Sequence, residues 1–348
     1  TAKCFFGLIQ ARVIQLPEVS APADLVYQAP ELAASNFKAT ATTEVVETTT
    51  TSTAANAELE ALANQFVHLH VHSQYSVTGM QSTSDVSGLI KKMKSWATDA
   101  YAPAIALTDH ANMMAAFQFV SSALKENVKP IVGCEVNLCK DMHDKKNQDN
   151  GFQVVLLAKT KKGYHNLAHL SSLAHTQGSY YVPRIDRPTL LQFKEDIIVL
   201  SGGMYGEVAW KILNEGEEKA EEAFLWWKEH FGEDFYAEIM RHGLEEETHV
   251  NTILLQLCAK HGVAYIACNS SYYTEQKDSE AQDALVCVRE GEFVSRPKKY
   301  IGKRGREFRQ GLPNNQYYLK SPLEMAALFV DLPLAISNTR TLADKCEQ

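Results

Sequence analysis

Seven short apolar runs, most of them separated by an amphipathic stretch, limit what this chain can fold into more than any other feature. They lie at 66–72, 103–108, 130–136, 153–158, 197–201, 235–240 and 263–268. Helical patterns fall between them: Asp85 to Trp96 carries Leu89, Met93 and Trp96 at helical spacing, and Glu246 to His261 carries Ile253, Leu257 and Lys260 on the same period. Strands alternating with helices over short connections predict parallel strands joined by crossovers, hence an open α/β sheet or a (β/α) barrel. Seven units favour the barrel.

The first run, FVHLHVHSQYS from Phe66 to Ser76, holds three histidines at period two. Successive side chains of a strand point to opposite faces, so His68, His70 and His72 are expected to share one face while Val67, Leu69 and Val71 line the other. A row of imidazoles packs poorly and binds metals well.

Composition narrows the function classes. The formal charge is -8 over 348 residues, which argues against nucleic-acid binding through overall positive potential and leaves any such contact to a local patch. The patch available is RPKKYIGKRGREFR from Arg296 to Arg309, with Lys298, Lys299, Lys303, Arg304 and Arg306 as candidate phosphate contacts. The seven cysteines are scattered and contain no CxxC pair, as expected of reduced thiols in a cytoplasmic protein. No apolar run approaches the roughly 18 residues that span a bilayer. The missing initiator Met points to a piece of a longer protein.

The expected organisation has four parts: a short apolar helix-like piece at 1–17, an Ala/Thr/Pro-rich linker at 18–60, the barrel at 61–290, and a basic loop with a helical connector at 291–348. The linker is expected to be flexible, since polar low-complexity sequence buries too little apolar surface to offset its ordering entropy. Ser321-Pro322-Leu323-Glu324 reads as a capping box with Pro at the first helical position, which marks a helix start.

Ligands of parallel α/β folds bind beyond the C-terminal ends of the strands. The exits supply His70 and His72 from the first run, Asp109 and His110 from the second, Glu135 from the third and His242 from the sixth. Mixed imidazole and carboxylate ligands suit zinc or manganese. Asp109 is placed to orient an imidazole rather than to ligate. The remaining exits offer Ala158-Lys159, Ser201-Gly202-Gly203 and Asn269-Ser270-Ser271-Tyr272.

These residues resemble the PHP (polymerase and histidinol phosphatase) domain that opens the alpha subunit of bacterial DNA polymerase III, a replicative C-family polymerase. The resemblance rests on FVHLHVHSQYS, AIALTDHANMMAAFQF, KPIVGCEV, GYHNLAHLSSLAH with PRID, LSGG, MRHG and QYYLKSPLEMAALFVDLP, in order over 66–348. It implies a distorted seven-stranded (β/α) barrel with a metal cluster at its mouth, to which His70, His72, His110 and Glu135 correspond.

Elsewhere the chain departs from that pattern. Gly203 stands where a Cys or His ligand is found, Ser270 and Tyr272 where an Asp-x-His is found, and an Asp is missing around Gly79. The resemblance therefore implies a degraded site that holds one ion at most, Zn²⁺ or Mn²⁺, in a mainly structural domain.

TAKCFFGLIQARVI also resembles the last helix of a DnaQ-type exonuclease, which implies a proofreading partner in cis, with one in trans as the alternative. The stretch after about 315 resembles the lead into a polymerase palm whose aspartates are absent from this chain. Together these resemblances imply DNA replication by the full-length parent with Mg²⁺, alongside sliding clamp and clamp loader, and no polymerase site in this piece. The competing readings are an active metal-dependent phosphoesterase or 3'-5' exonuclease, and a protein-interaction scaffold.

Overall fold

A computed structural model describes residues 48–298 and 308–347. The exonuclease-like piece at 1–17, most of the expected linker, and Lys299, Lys303, Arg304 and Arg306 lie outside the described residues. The first described element is helix α1 (Thr48–Ala63), which covers the end of the stretch where a linker was expected to reach residue 60. From Ala54 onward its sequence is dominated by Ala, Glu and Leu, which lose little side-chain freedom in a helix.

The sheet contains β1 (Ala104–Leu107), β2 (Lys129–Cys139), β3 (Phe152–Ala158), β5 (Ile197–Leu200), β6 (Phe235–Met240) and β7 (Tyr265–Cys268), neighbours in that order, while the two-residue β4 (Ile185–Asp186) pairs with β2 off this path. The run at Phe66 to His72 is not a regular strand. It makes isolated parallel bridges to both ends of the sheet, His68 with Ile105 and Val71 with Ser271. Ala106 N donates to His68 O at 2.7 Å and Thr108 N to Val71 O at 2.8 Å on one side; Ser271 N donates to His70 O at 3.2 Å and His72 N to Ser271 O at 2.9 Å on the other. These bonds close the sheet into a distorted seven-membered ring.

One expectation of direction fails. β3 runs antiparallel to both β2 and β5, so Ala158-Lys159 leaves the ring at the end away from the other exits. The cause is the connection from Cys139 to Phe152, which contains no helix. Without a crossover the chain can only return antiparallel to its neighbour. A parallel reading of that unit assumed a helix that the stretch does not contain.

Strand alternation sorts the apolar side chains into layers. Val67, Ala104, Ala106, Ile131, Val155, Leu157, Ile198, Leu200, Tyr236, Ile266 and Cys268 form the cluster on one face. The other face packs on helices: Val136, Leu156, Val199, Ala237 and Ile239 lie with apolar residues of α4 (Lys161–Thr176), α7 (Glu217–Phe231) and α8 (Glu245–His261). Ile105 and Leu107 pack with α2 (Val86–Ser95) and α3 (Ala116–Lys125). By the same period-two rule Glu135 shares a face with Ile131, and Glu238 shares one with Tyr236 and Met240. The carboxylates thus project into the ring.

Two helices finish the chain, α10 (Pro322–Leu328) and α11 (Pro333–Lys345), after α9 (Ser279–Glu290). Leu342, Ala343 and Cys346 join the inner cluster, and Thr339 Oγ1 accepts from Val67 N at 2.9 Å. The last helix thereby stops one end of the ring and ties down the start of the histidine run.

Candidate metal centre

The expectation that His68, His70 and His72 act as one row is only partly met. Leu69 packs in the inner cluster whereas Val71 packs in the one that holds α2 and α3, so alternation does not carry through the segment. His68 goes its own way: its Nε2 lies 2.8 Å from Lys320 O, its ring meets Phe66 edge-on, and burial pushes its pKa down to about 4.

His70, His72 and Glu135 come together, with one ligand atom from each lying within 4.8 Å of the others, all three buried. His70 Nε2 is 3.4 Å from Glu135 Oε1, and His72 Nε2 is 3.9 Å from Glu135 Oε2. Both Nε2 atoms are buried without a hydrogen-bond partner. Unpartnered buried imidazole nitrogens are costly unless something else occupies them. Two imidazoles and a carboxylate are a donor set that zinc and manganese accept, so the residues fit a divalent ion.

His110 stands beside this triad rather than in it. Its Nδ1 is 2.7 Å from Glu135 Oε2 and its Nε2 is 3.1 Å from Asn137 Nδ2, so both ring nitrogens are already engaged. Asp109 does not reach an imidazole directly. It accepts from Ser73 N at 2.6 Å, Ser73 Oγ at 2.7 Å and Ser76 Oγ at 2.9 Å. Ser76 Oγ in turn lies 2.9 Å from His72 Nδ1, so Asp109 orients His72 at one remove. Burial raises the Asp109 carboxyl above its ordinary range, against the pull of those hydroxyls.

His242 also sits apart from the triad. Its Nδ1 and its backbone N both meet the carboxylate of Glu247 at 2.6 Å, and its ring stacks on Tyr317 with centroids 3.9 Å apart. Its Nε2 is buried and unpartnered, and burial lowers its pKa against the pull of Glu247.

Reading strand exits overlooked Glu238, which lies inside β6. Its Oε1 is 2.9 Å from His70 Nδ1, and its Oε2 accepts from Gly202 N at 2.6 Å and Gly203 N at 3.1 Å. The available signal was a lone acidic residue in the otherwise apolar run FYAEIM. Burial alone would lower the His70 pKa, but Glu238 and Glu135 outweigh it and hold the imidazole up to about 10. Burial likewise works against the Glu135 carboxylate, yet the hydrogen bond from His110 and the nearby His70 imidazole keep it well below the usual range. Burial takes His72 the other way, down to about 3.

The departures at Gly203, Tyr272 and Gly79 have physical counterparts. A Cβ at Gly203 would lie 2.7 Å from Met240 Cε on backbone with φ of +55°, and one at Gly202 would lie 1.9 Å from Gln153 O. Tyr272 stacks on His72 with centroids 4.2 Å apart and 9° between the planes. Its hydroxyl is raised well above the usual range by burial, so it stays a neutral phenol rather than an anionic ligand. At Gly79 a Cβ would meet the His110 ring at 2.6 Å.

Among the described cations of the basic segment, Lys298 lies 3.2 Å from Asp283, Arg309 pairs with the same carboxylate at 2.7 Å, and Arg296 with Glu292. Carboxylates of the chain thus already offset part of their charge.

Among proteins of known name, the chain is 37% identical over 288 residues to the DNA polymerase III subunit alpha of Borreliella burgdorferi, covering 82% of this chain and 24% of that protein. It is 33% identical over 294 residues to the same subunit of Campylobacter jejuni, covering 81% and 23%. The chain therefore spans about a quarter of the length of these relatives. Among solved structures it is similar to an amidohydrolase from Chromobacterium violaceum, at 13% identity and a TM-score of 0.38, covering 60% of this chain and 88% of that one. The PHP domain family matches residues 68–242, from the first ring histidine to His242. By that match, and by its order of motifs around the ring mouth, the chain belongs to the PHP domain family.

Proposed function

We propose that this chain is the PHP portion of the alpha subunit of a bacterial replicative DNA polymerase, acting in the cytoplasm, and that it holds one divalent ion, zinc or manganese, in a structural role. The observation that carries the reading is the triad itself. His70, His72 and Glu135 form the one group of three such ligands found among the described residues, and Tyr272 and Gly203 stand where further ligands would have to come from.

A bound ion would polarise an attached water or phosphate oxygen, and hydrolysis of phosphoesters draws on that polarisation from two ions or from one rigidly held. His70, His72 and Glu135 would hold the ion, Glu238 and Ser76 would fix the two imidazoles, and Tyr272 would cover His72. Alone, the chain is inactive as a phosphoesterase, an exonuclease and a polymerase. Within the full-length parent it supports template-directed synthesis with Mg²⁺, in contact with DNA, sliding clamp, clamp loader and a proofreading exonuclease in cis or in trans.

Elemental analysis of the purified chain tests the metal. About one equivalent of zinc or manganese is expected, falling to none in a His70→Ala/His72→Ala variant. Two or more tightly held equivalents, or metal-dependent release of nucleotides from a 3'-recessed DNA, would favour the active phosphoesterase or exonuclease reading instead.

A further inference from the structure

We propose that Glu238 is the positioning residue of the metal triad, and that it works by fixing which nitrogen of His70 keeps its proton when an ion binds. This rests on the metal reading above and deepens it. Glu238 is buried, 1% exposed, in the middle of β6. Its two oxygens do different jobs: Oε2 accepts from the amides of Gly202 and Gly203 at 2.6 and 3.1 Å, while Oε1 faces His70 Nδ1 at 2.9 Å.

An ionised carboxylate only accepts hydrogen bonds, so Nδ1 must donate. With its proton on Nδ1 held by Glu238, the proton that His70 gives up to an ion is the one on Nε2, which faces Glu135 at 3.4 Å and has no hydrogen-bond partner. The turn after β5 packs close to its neighbours on backbone that only glycine adopts readily. Gly202 and Gly203 have φ of +85° and +55°, and a Cβ at Gly202 would strike Gln153 O at 1.9 Å. The glycine pair therefore serves the site through its backbone, aiming two amides at one carboxylate oxygen.

Replacing Glu238 by glutamine keeps the shape and reverses the bond. The amides of Gly202 and Gly203 still require an acceptor, so the glutamine oxygen takes the Oε2 position and its NH₂ group faces His70. Nδ1 must then accept, the proton that the ring keeps is the one on Nε2, and the lone pair that a metal needs is not offered.

The test uses the full chain, labelled with ¹⁵N-histidine, as wild type and Glu238→Gln. Nuclear magnetic resonance of the metal-free proteins is expected to show a hydrogen-bonded Nδ1 proton on His70 in the wild type and an unprotonated Nδ1 in the variant. Zinc affinity, measured by competition with a chelator, is expected to fall about 10–100-fold in the variant, with the circular dichroism spectrum unchanged. A purely structural Glu238 would leave the tautomer alone.

If Glu238→Gln keeps the Nδ1 proton, or binds zinc as tightly as a zinc-binding wild type, the proposal is overturned. Should the variant not fold, the wild-type spectrum decides, since an Nδ1 without a proton overturns the proposal by itself. A wild type that takes up no zinc overturns the metal reading, while the Nδ1 proton still decides the role of Glu238.

Discussion

Because His70 is held between Glu135 and Glu238, an ion that takes its Nε2 must first displace a proton. With the His70 pKa raised to about 10 and His72 lowered to about 3, one proton leaves for each ion bound anywhere between neutrality and pH 9. Apparent zinc affinity is therefore expected to rise about tenfold per pH unit over that window, as a titration series in a non-chelating buffer would measure; a flat profile would contradict it. For the metal-free chain the sign is opposite. A histidine whose folded pKa lies above its unfolded value contributes stability that is full below about 6.5 and is lost as pH climbs through about 10.

At this scale the sequence was informative where ligand-type residues stand at strand exits, as His70, His72 and Glu135 do. It was silent on Glu238, whose partners are the backbone amides of Gly202 and Gly203 and so leave no trace in side-chain chemistry. Nor does anything in the order of residues reveal that Asn137 lies against the second nitrogen of His110.

Among the elements, the start of α10 was legible to the residue. Ser321 Oγ accepts from Glu324 N at 3.2 Å, and Ser321 N donates to Glu324 Oε2 at 2.7 Å, the reciprocal capping box that the four residues specify. Ser321→Ala is expected to cost about 1 kcal/mol, read from the midpoint of urea unfolding; no shift would mean that α10 is held by packing alone. Local patterns of this kind survive folding because their partners are three residues apart. The direction of β3 was not legible, since it depends on whether the 140–151 stretch makes a helix, and neither its polarity nor its charge decides that. The histidine run was legible as apolar and extended, but not as the irregular segment that it is. Its bridge partners, Ile105 and Ser271, come from opposite ends of the sheet.

For the whole molecule, the ring depends on its stopper. Leu342 is fully buried at 0% exposure, in the inner cluster with Val67 and Ala104. Leu342→Ala is expected to destabilise the chain by about 2–5 kcal/mol, measured by thermal or denaturant unfolding. A loss under about 1 kcal/mol would show that α11 does not share the core. The ring also has a temporal side. The histidine segment emerges well before the residues that hold it, since it pairs with Ser271, is tied by Thr339, and has His70 held by Glu238. At roughly 5–20 residues per second on the ribosome, the first strand therefore spends many seconds with its imidazoles unpaired. Ring closure is a late, long-range event of the kind that slows folding. During that interval the nascent chain offers clustered histidines to any ion present, so the order of synthesis, as much as the finished pocket, governs when the site can first be filled.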